Sequence, residues 1–179
     1  MTKLLKNSAD MEKTLQRMIY EMLERHETYE DIVFVGIRTR GVFLAQRLKD
    51  KFEAAAKTKV MYGELDITLY RDDLSQVADY PVIKGTNINF DITDKTIILV
   101  DDVLYTGRTI RAALSELADL GRPGKVELAV LIDRGHREVP ISADYAGKIV
   151  PTSKKEVIHV RLAEHDGVDE VVLGVKDAK

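Results

Sequence analysis

The decisive stretch of this sequence is TIILVDDVLYTGRT, residues 96–109. Its first five residues form an uninterrupted apolar run, which is typical of a strand buried on both faces of a parallel sheet. The pattern after it predicts a helix from about Thr109 to Leu120, which Gly121 and Pro123 bring to an end. A buried strand followed by a helix is the repeating unit of an α/β protein, so this stretch favours that fold class.

The same alternation continues on both sides of residues 96–109. Apolar residues at three- and four-residue spacing from Met11 to Leu23 predict a first helix, with Ser8 or Asp10 as its cap. The other predicted strands and helices are IVFVGI (32–37), GVFLAQRLKDKFEA (41–54), VMYGELDIT (60–68), the short TNINFDI (86–92), KVELAVLID (125–133), EVIHVRL (156–162) and EVVLGV (170–175). Together they predict an α/β fold whose mostly parallel central sheet is flanked by helices and binds ligands at the carboxyl ends of its strands.

Composition limits the possible functions. The chain has 179 residues, a net charge of -3 and no cysteine. This length without a linker predicts one domain, 1–179, and the missing cysteines exclude disulfides, thiolate catalysis and cysteine zinc sites. The net charge disfavours nucleic-acid binding by bulk electrostatics but allows a local basic patch. Because no apolar run is long enough for a membrane span or a signal peptide, we expect a cytoplasmic protein without a membrane partner.

The polar part of the decisive stretch suits a sugar phosphate. Two adjacent carboxylates at a strand end, Asp101 and Asp102, accept hydrogen bonds from vicinal ribose hydroxyls or hold a hydrated Mg²⁺. Residues 106–109 place backbone N–H groups at a helix N-terminus, which favours a phosphate. An acidic pair after a strand also occurs in receiver domains, so the pair alone is not specific. The sequence has neither a Walker A loop nor a GxGxxG fingerprint.

Residues 96–109 resemble the 5-phosphoribosyl-1-pyrophosphate (PRPP) signature of type I phosphoribosyltransferases. Their particular residues, with Leu104 and Tyr105 between the acids and the turn, resemble the version of this signature in the bacterial PyrR family. The segments GIRTRG (36–41), DITLYRDDL (66–74) and DRGHREVPISADYAGK (133–148) match that family in the same order. The resemblance implies a type I phosphoribosyltransferase fold with a small hood at about 134–160. It also implies a uracil phosphoribosyltransferase that converts uracil and PRPP to UMP and pyrophosphate.

The resemblance further implies where the substrates bind. The candidate catalytic residues are Asp101, Asp102, Arg40 and Arg71, with Mg²⁺ as the cofactor near the two acids, held through water or ribose. The loop 36–41 is expected to hold pyrophosphate and often has a non-proline cis peptide bond in this superfamily. The residues expected to bind PRPP or UMP are Thr39, Arg40, Lys84, Val100, Asp101, Asp102, Val103, Leu104, Tyr105, Thr106, Gly107, Arg108, Thr109, Arg134 and Val157.

Members of the PyrR family also regulate transcriptional attenuation of the pyrimidine biosynthetic operon, through UMP- or UTP-dependent binding to leader mRNA. The resemblance therefore implies RNA as a partner, a homodimer or higher homo-oligomer, and candidate RNA-binding residues at Arg17, Arg25, Arg137 and Lys154. Ser142 and Tyr20 stand where family members often carry Arg and His, so the match is weaker on this surface.

Two other functions are compatible with the same motif. One is a purine or other base phosphoribosyltransferase without RNA binding, and the other is a binding module that uses the pocket only to sense a nucleotide. His136 is a candidate proton carrier, although an imidazole in a basic turn is more often structural or directed towards RNA.

Overall fold

The computed structural model describes residues 2–70 and 85–175, with only the backbone described at Leu69. In chain order the elements are β1 (Lys3–Lys6), α1 (Ser8–Arg25), β2 (Ile32–Ile37), α2 (Arg40–Ala56), β3 (Met61–Leu65), a 3-10 turn (Ile67–Tyr70), β4 (Thr96–Leu104), α3 (Arg108–Leu120), β5 (Lys125–Asp133), β6 (Tyr145–Ile149), β7 (Glu156–Arg161), α4 (Ala163–Asp166) and β8 (Glu170–Val175).

The central sheet has the strand order β3-β2-β4-β5-β6, and all four strand pairs are parallel. Alternate residues of its strands enter two separate apolar clusters. One cluster includes the buried faces of α1 and α2, and the other includes the buried face of α3. Burial on both faces explains the continuous apolar runs of β2, β4 and β5. The predicted α/β fold with a mostly parallel sheet is confirmed.

A second, antiparallel sheet has the order β1-β8-β7. Its two late strands agree with the predictions for residues 156–162 and 170–175, whereas β1 was not predicted, because four residues carry no readable period. The segment of about 134–160 that the sequence assigns to the hood is divided between the two sheets. Within it, β6 pairs with β5 in the central sheet and β7 pairs with β8.

Two local predictions were wrong. The segment TNINFDI (86–92) forms no strand, and it contributes a single antiparallel bridge between Asn87 and Glu64. The cap of α1 is Asn7, whose side chain accepts a hydrogen bond from the Asp10 backbone N–H in a capping box. An asparagine one residue before Ser8 satisfies the same orphan N–H groups that Ser8 would have served.

The parallel arrangement determines where a ligand can bind. Because β2, β3, β4 and β5 run in the same direction, the loops that follow Ile37, Leu65, Leu104 and Asp133 all leave the same edge of the sheet. None of the helices in residues 2–70 and 85–175 has the length and apolar character that a membrane span requires.

Candidate active site

A cleft of about 530 Å³ opens at the carboxyl edge of the central sheet. Its walls come from the segments that follow β2 and β3, from the last part of β4 and from the first turn of α3. The lining residues are Arg38, Thr39, Arg40, Asp66, Ile67, Thr68, Asp101, Asp102, Val103 and Thr109. Six of the predicted site residues, Thr39, Arg40, Asp101, Asp102, Val103 and Thr109, are thus brought together around one space.

The acidic pair lies on the last part of β4, where the strand leaves the apolar layer. Asp101 is only 7% exposed. Its Oδ1 accepts a hydrogen bond from the Asp102 N–H (2.9 Å), and the Asp102 Oδ1 accepts one from the Val103 N–H (2.8 Å). Burial raises the pKa of both carboxyl groups, and for Asp101 the neighbouring Asp102 charge raises the pKa further. Negative charge on this pair is therefore costly in the empty cleft, and hydroxyl donors or a cation from a ligand would offset that cost.

The turn between β4 and α3 has the backbone shape of an anion cradle. Gly107 has φ +88°, in the left-handed region that favours glycine, and it is the N-cap of α3. The Thr106 hydroxyl accepts a hydrogen bond from the Arg108 N–H at 3.3 Å. The turn is supported from above, because the N–H groups of Glu138 and Val139 both donate to the Thr106 carbonyl. The thirteen-residue helix α3 begins at Arg108, and Thr109 of its first turn lines the cleft, so the positive end of the helix dipole lies beside it.

The remaining predicted residues of the signature support this turn. Val100 and Leu104 are buried in the two opposite apolar clusters. The exposed Arg108 side chain pairs with Glu138 (Nε to Oε2, 2.7 Å). The Tyr105 ring lies 4.1 Å below the guanidinium carbon of Arg134. Val100 and Leu104 therefore fix the position of the turn from below, while Tyr105 and Arg108 tie it to the residues that follow β5.

The loop after β2 carries the expected cis peptide bond, between Arg38 and Thr39. Arg38 donates to Glu64 (Nη2 to Oε2, 2.7 Å), while Thr39 is exposed at the cleft. Arg40 makes a two-pronged ion pair with Asp166, with 3.0 Å from Nε to Oδ2 and 2.6 Å from Nη2 to Oδ1. The Arg40 guanidinium holds the pKa of Asp166 down, to about 2.

The segment DITLYRDDL (66–74) was singled out in the sequence, but none of its first three residues, in the turn after β3, was predicted as a site residue. The Asp66 Oδ1 accepts hydrogen bonds from both the backbone N–H (3.1 Å) and the hydroxyl (2.5 Å) of Thr68, and all three residues 66–68 line the cleft. The Asp66 N–H donates to the Thr86 hydroxyl, which itself donates to Glu116 of α3. The Asp-x-Thr spacing was a usable signal for this turn. Its connection to Glu116 was not, because the two lie fifty residues apart in the sequence.

Arg134 and Val157 lie in the region that the sequence assigns to the hood. Arg134 is only 4% exposed and donates to the carbonyls of Ser153 (3.2 Å) and Glu156 (2.9 Å). Val157 is half-buried on β7. His136 Nε2 donates to the Thr152 carbonyl, which favours a structural role for the imidazole. Arg134 therefore holds the hood segment against Tyr105. A contact between Arg134 and a bound base would have to form without breaking these hydrogen bonds.

The candidate RNA-binding residues are not all alike. Arg17 is exposed on α1 and donates to the carbonyl of Gly147 at 2.6 Å, while the exposed Lys154 precedes β7. Arg25 pairs with Asp144 at 3.1 Å. Arg137 is largely engaged inside the protein, with 2.5 Å from Nη2 to an Asp133 oxygen and further bonds to the carbonyls of Tyr105 and Ile141. The predicted site residues Arg71 and Lys84 lie outside the described residues.

Comparison with known proteins agrees with this geometry. The phosphoribosyl transferase domain model matches residues 1–165. The chain is 59% identical to the "Bifunctional protein PyrR" of Elusimicrobium minutum (strain Pei191) over 177 residues, which cover 99% of each chain. It is 54% identical to the protein of the same name from Clostridioides difficile (strain 630) over 161 residues, 90% of this chain and 91% of the other.

Solved structures show the same fold at much lower identity. A hypoxanthine phosphoribosyltransferase from Staphylococcus aureus superposes with a TM-score of 0.72 at 19% identity, covering 98% of this chain and 93% of the other. The hypoxanthine phosphoribosyltransferase of Trypanosoma cruzi gives a TM-score of 0.70 at 15% identity, with 96% and 95% covered. The fold is thus the type I phosphoribosyltransferase fold.

Proposed function

This chain belongs to the phosphoribosyl transferase domain family and, within it, to the PyrR family, and from that premise we propose that it has two activities. One is the transfer of a phosphoribosyl group from PRPP to uracil. The other is regulation of pyrimidine biosynthesis by attenuation, through binding of leader mRNA in response to UMP or UTP. We place both activities in the cytoplasm, in a homodimer or higher homo-oligomer.

The observation that carries the enzymatic proposal is the joining of an acidic pair and a helix-N-terminal turn at one cleft. From the Asp101 carboxylate to the turn at Gly107, β4 passes directly into α3. A ribose with its diol at Asp101 and Asp102 would have its 5-phosphate on the amides of residues 106–109. The Thr39–Arg40 side of the same cleft then faces the pyrophosphate on the anomeric carbon.

The proposed reaction exchanges one bond at the anomeric carbon for another. The C–O bond to pyrophosphate breaks with its electron pair on the leaving oxygen, N1 of uracil bonds to the carbon, and the N1 proton passes to solvent. The ribose acquires oxocarbenium character, as in glycoside cleavage. Asp101 and Asp102 hold the ribose in place and stabilise the developing positive charge, while Arg40 neutralises the leaving group. Arg71 and Lys84 are proposed to assist in binding the pyrophosphate.

Magnesium is compatible with the acids of this cleft. Among the described residues no three acidic or histidine side chains converge into a cage for a metal. Two carboxylates in one cleft suit Mg²⁺, which usually keeps several waters and takes the rest of its ligands from substrate phosphates. Asp101 and Asp102 would hold the ion through water or the ribose hydroxyls, and when bound it would neutralise charge on the pyrophosphate.

The RNA proposal is supported by a basic cleft away from the acidic pair. This cleft lies between β1, α1 and β6. It is lined by Leu5, Lys6, Asp10, Lys13, Thr14, Arg17 and Lys148. Burial lowers the pKa of Lys6, and the nearby Lys148 and Arg17 charges lower it further, while the Asp10 carboxylate in the same cleft raises it. Four cations against one carboxylate line this cleft, so it has a net positive lining. Together with Arg25 and Lys154 it makes up the proposed surface, which two copies in a dimer would present twice to a folded RNA. Arg137 is the weakest of the proposed contacts, because its guanidinium is already bound to Asp133 and to the carbonyls of Tyr105 and Ile141.

The enzymatic proposal is tested by scanning bases with PRPP. Uracil is expected to be consumed with release of UMP and pyrophosphate in equal amounts, and hypoxanthine to be left unchanged. Turnover of hypoxanthine but not uracil would contradict the proposal and favour the purine enzyme.

The regulatory proposal is tested by filter binding to a pyrimidine leader transcript. We expect retention of the RNA to increase when UMP is added. No retention with or without UMP would contradict RNA binding and leave only the enzyme.

A further inference from the structure

Outside the acidic pair, the proposed function leaves a close contact at the cleft without a role, the ion pair between Arg40 and Asp166. Arg40 is the first residue of α2 and lines the cleft, whereas Asp166 is the last residue of α4. The pair is two-pronged and largely shielded, with the Arg40 side chain 31% exposed and the Asp166 side chain 17% exposed. Geometry of this kind fixes the plane of a guanidinium much more firmly than a single surface contact does.

Asp166 is itself held by the backbone. Its Oδ2, which accepts from Arg40 Nε, also accepts from the Leu162 N–H at 2.9 Å. Leu162 is fully buried and follows β7 directly. The carboxylate is therefore fixed to the end of a hood strand, and it connects that strand to the loop after β2.

A second, chemically matched pair lies on the same helix. Arg47 is seven residues after Arg40, which is two helical turns, so both side chains leave the same face of α2. Arg47 binds Glu164 and Asp169, at 2.5 Å and 2.7 Å from Nη2. Both pairs fasten the acidic turn, residues 162–169, to α2. Of the two arginines, however, only Arg40 is among the residues that line the cleft.

We propose that Asp166 is a positioning residue that holds the Arg40 guanidinium towards the pyrophosphate of PRPP, an inference that rests on the proposed phosphoribosyl transfer. Asp166 engages Nε and Nη2. Within the described part of the chain Nη1 makes no hydrogen bond, so it is available to a pyrophosphate oxygen. Prior fixing of a long side chain removes part of the entropy that binding would otherwise lose.

The test compares Asp166→Asn with Asp169→Asn. Both variants replace one carboxylate of the acidic turn by an amide, but only the first frees Arg40. For Asp166→Asn we expect the inhibition constant of pyrophosphate and the KM for PRPP to rise about tenfold, with UMP binding within twofold of wild type. For Asp169→Asn we expect all three quantities to stay within twofold, and Asp166→Glu is expected to recover part of the loss.

Three results would overturn this role for Asp166. The first is that both asparagine variants change pyrophosphate binding equally. The second is that Asp166→Asn weakens the binding of UMP as much as the binding of pyrophosphate. The third is that Asp166→Asn binds pyrophosphate more tightly than the wild type. The last would mean that Asp166 competes with the ligand for Arg40. Calorimetric binding of pyrophosphate decides between these results even if the wild type fails to turn over uracil, which would contradict only the proposed function. A wild-type protein that binds no pyrophosphate would contradict both.

Discussion

At the scale of single residues, the acidic pair lowers the stability of the fold, but it lies at the cleft where we propose that the ribose binds. Asp101 is almost wholly buried, and both carboxyl groups have raised pKa values because of that burial. A group whose pKa is higher in the folded than in the unfolded state reduces stability as the pH rises through the interval between the two values. The protein therefore retains a charge arrangement that its fold alone would not favour.

The double substitution Asp101→Asn with Asp102→Asn separates the two effects. We expect turnover to be lost, because the amides cannot balance charge on the ribose. We expect the free energy of unfolding at neutral pH to rise by about 1–2 kcal/mol, since a buried like-charge pair is removed. Thermal unfolding and the uracil–PRPP assay measure the two. The gain in stability should vanish in acid, where the wild-type pair is protonated, and a less stable variant at neutral pH would contradict this account.

The sequence alone predicts which candidate residues lie close together when they are neighbours along the chain, and fails when they are distant in it. The acids and the turn at Gly107 lie within seven residues of each other, so one motif contains the strand end, the carboxylates and the cradle. Asp166 was missed because its partner Arg40 is 126 residues away in the chain. No period or spacing in the sequence indicates that an acid in the last quarter of the chain meets an arginine in the first.

At the scale of elements, the junctions between strands and helices are what the function depends on. The turn at Gly107 combines a left-handed backbone with close packing, because an added Cβ would lie 2.6 Å from Cγ2 of Val139. Gly135 has a similar φ of +78°, but an added Cβ there would meet nothing within 4 Å. Both glycines therefore need a positive φ, but only Gly107 also has a neighbouring side chain where a Cβ would lie.

We expect Gly107→Ala to raise the KM for PRPP and to reduce the free energy of unfolding by about 1–3 kcal/mol, through backbone strain and the clash. Gly135→Ala, the matched control, is expected to show only the backbone part, about 1 kcal/mol, and an unchanged KM. Initial rates against PRPP concentration and thermal unfolding are the measurements. An equal KM for both variants would show that the turn at Gly107 does not contact the substrate.

A second junction, at the opposite edge of the sheet, is a matter of stability. The Glu127 side chain is fully buried, and its Oε2 accepts hydrogen bonds from His26 (2.9 Å) and from the Tyr145 hydroxyl (2.7 Å). Lys125 and Arg25 approach its other oxygen. These partners outweigh the burial and hold the pKa of Glu127 at about 2. The end of α1 is thus tied to β5 and β6.

We expect Glu127→Gln to lower the free energy of unfolding at pH 7 by about 2–3 kcal/mol, because a carboxylate with a lowered pKa stabilises the fold above its unfolded pKa. This contribution is lost in the wild type as the pH falls from about 4.3 towards 2. The difference between the two proteins should therefore shrink over that interval. Urea unfolding at several pH values measures it, and a difference that stays constant with pH would contradict the assignment.

At the scale of the whole molecule, the sequence predicted the strands of the central sheet at 32–37, 96–104 and 125–133 better than the antiparallel sheet. Long apolar runs have one stable place, between two layers of helices, so β2, β4 and β5 could be predicted without knowing their partners. The antiparallel sheet joins the first strand of the chain to the last two, and β1 has only four residues. Pairing between such distant short segments depends on tertiary contacts that no local pattern encodes.

The two proposed activities occupy different parts of the molecule, and this separation is testable. Arg17→Ala with Lys154→Ala is expected to weaken binding of the leader RNA at least tenfold and to reduce its salt dependence, because two cations are removed from the proposed surface. Turnover of uracil should be unchanged, since neither residue lines the acidic cleft. Filter binding across a salt series and the PRPP assay measure this. Lost turnover with intact RNA binding would refute the division.

The central claim is that a ribose 5-phosphate binds at the junction of β4 and α3. A crystal structure of the protein with UMP tests it most directly. We expect the phosphate on the backbone N–H groups of residues 106–109 and the ribose diol beside Asp101 and Asp102. A UMP phosphate bound elsewhere, with these amides turned away from any anion, would contradict the claim.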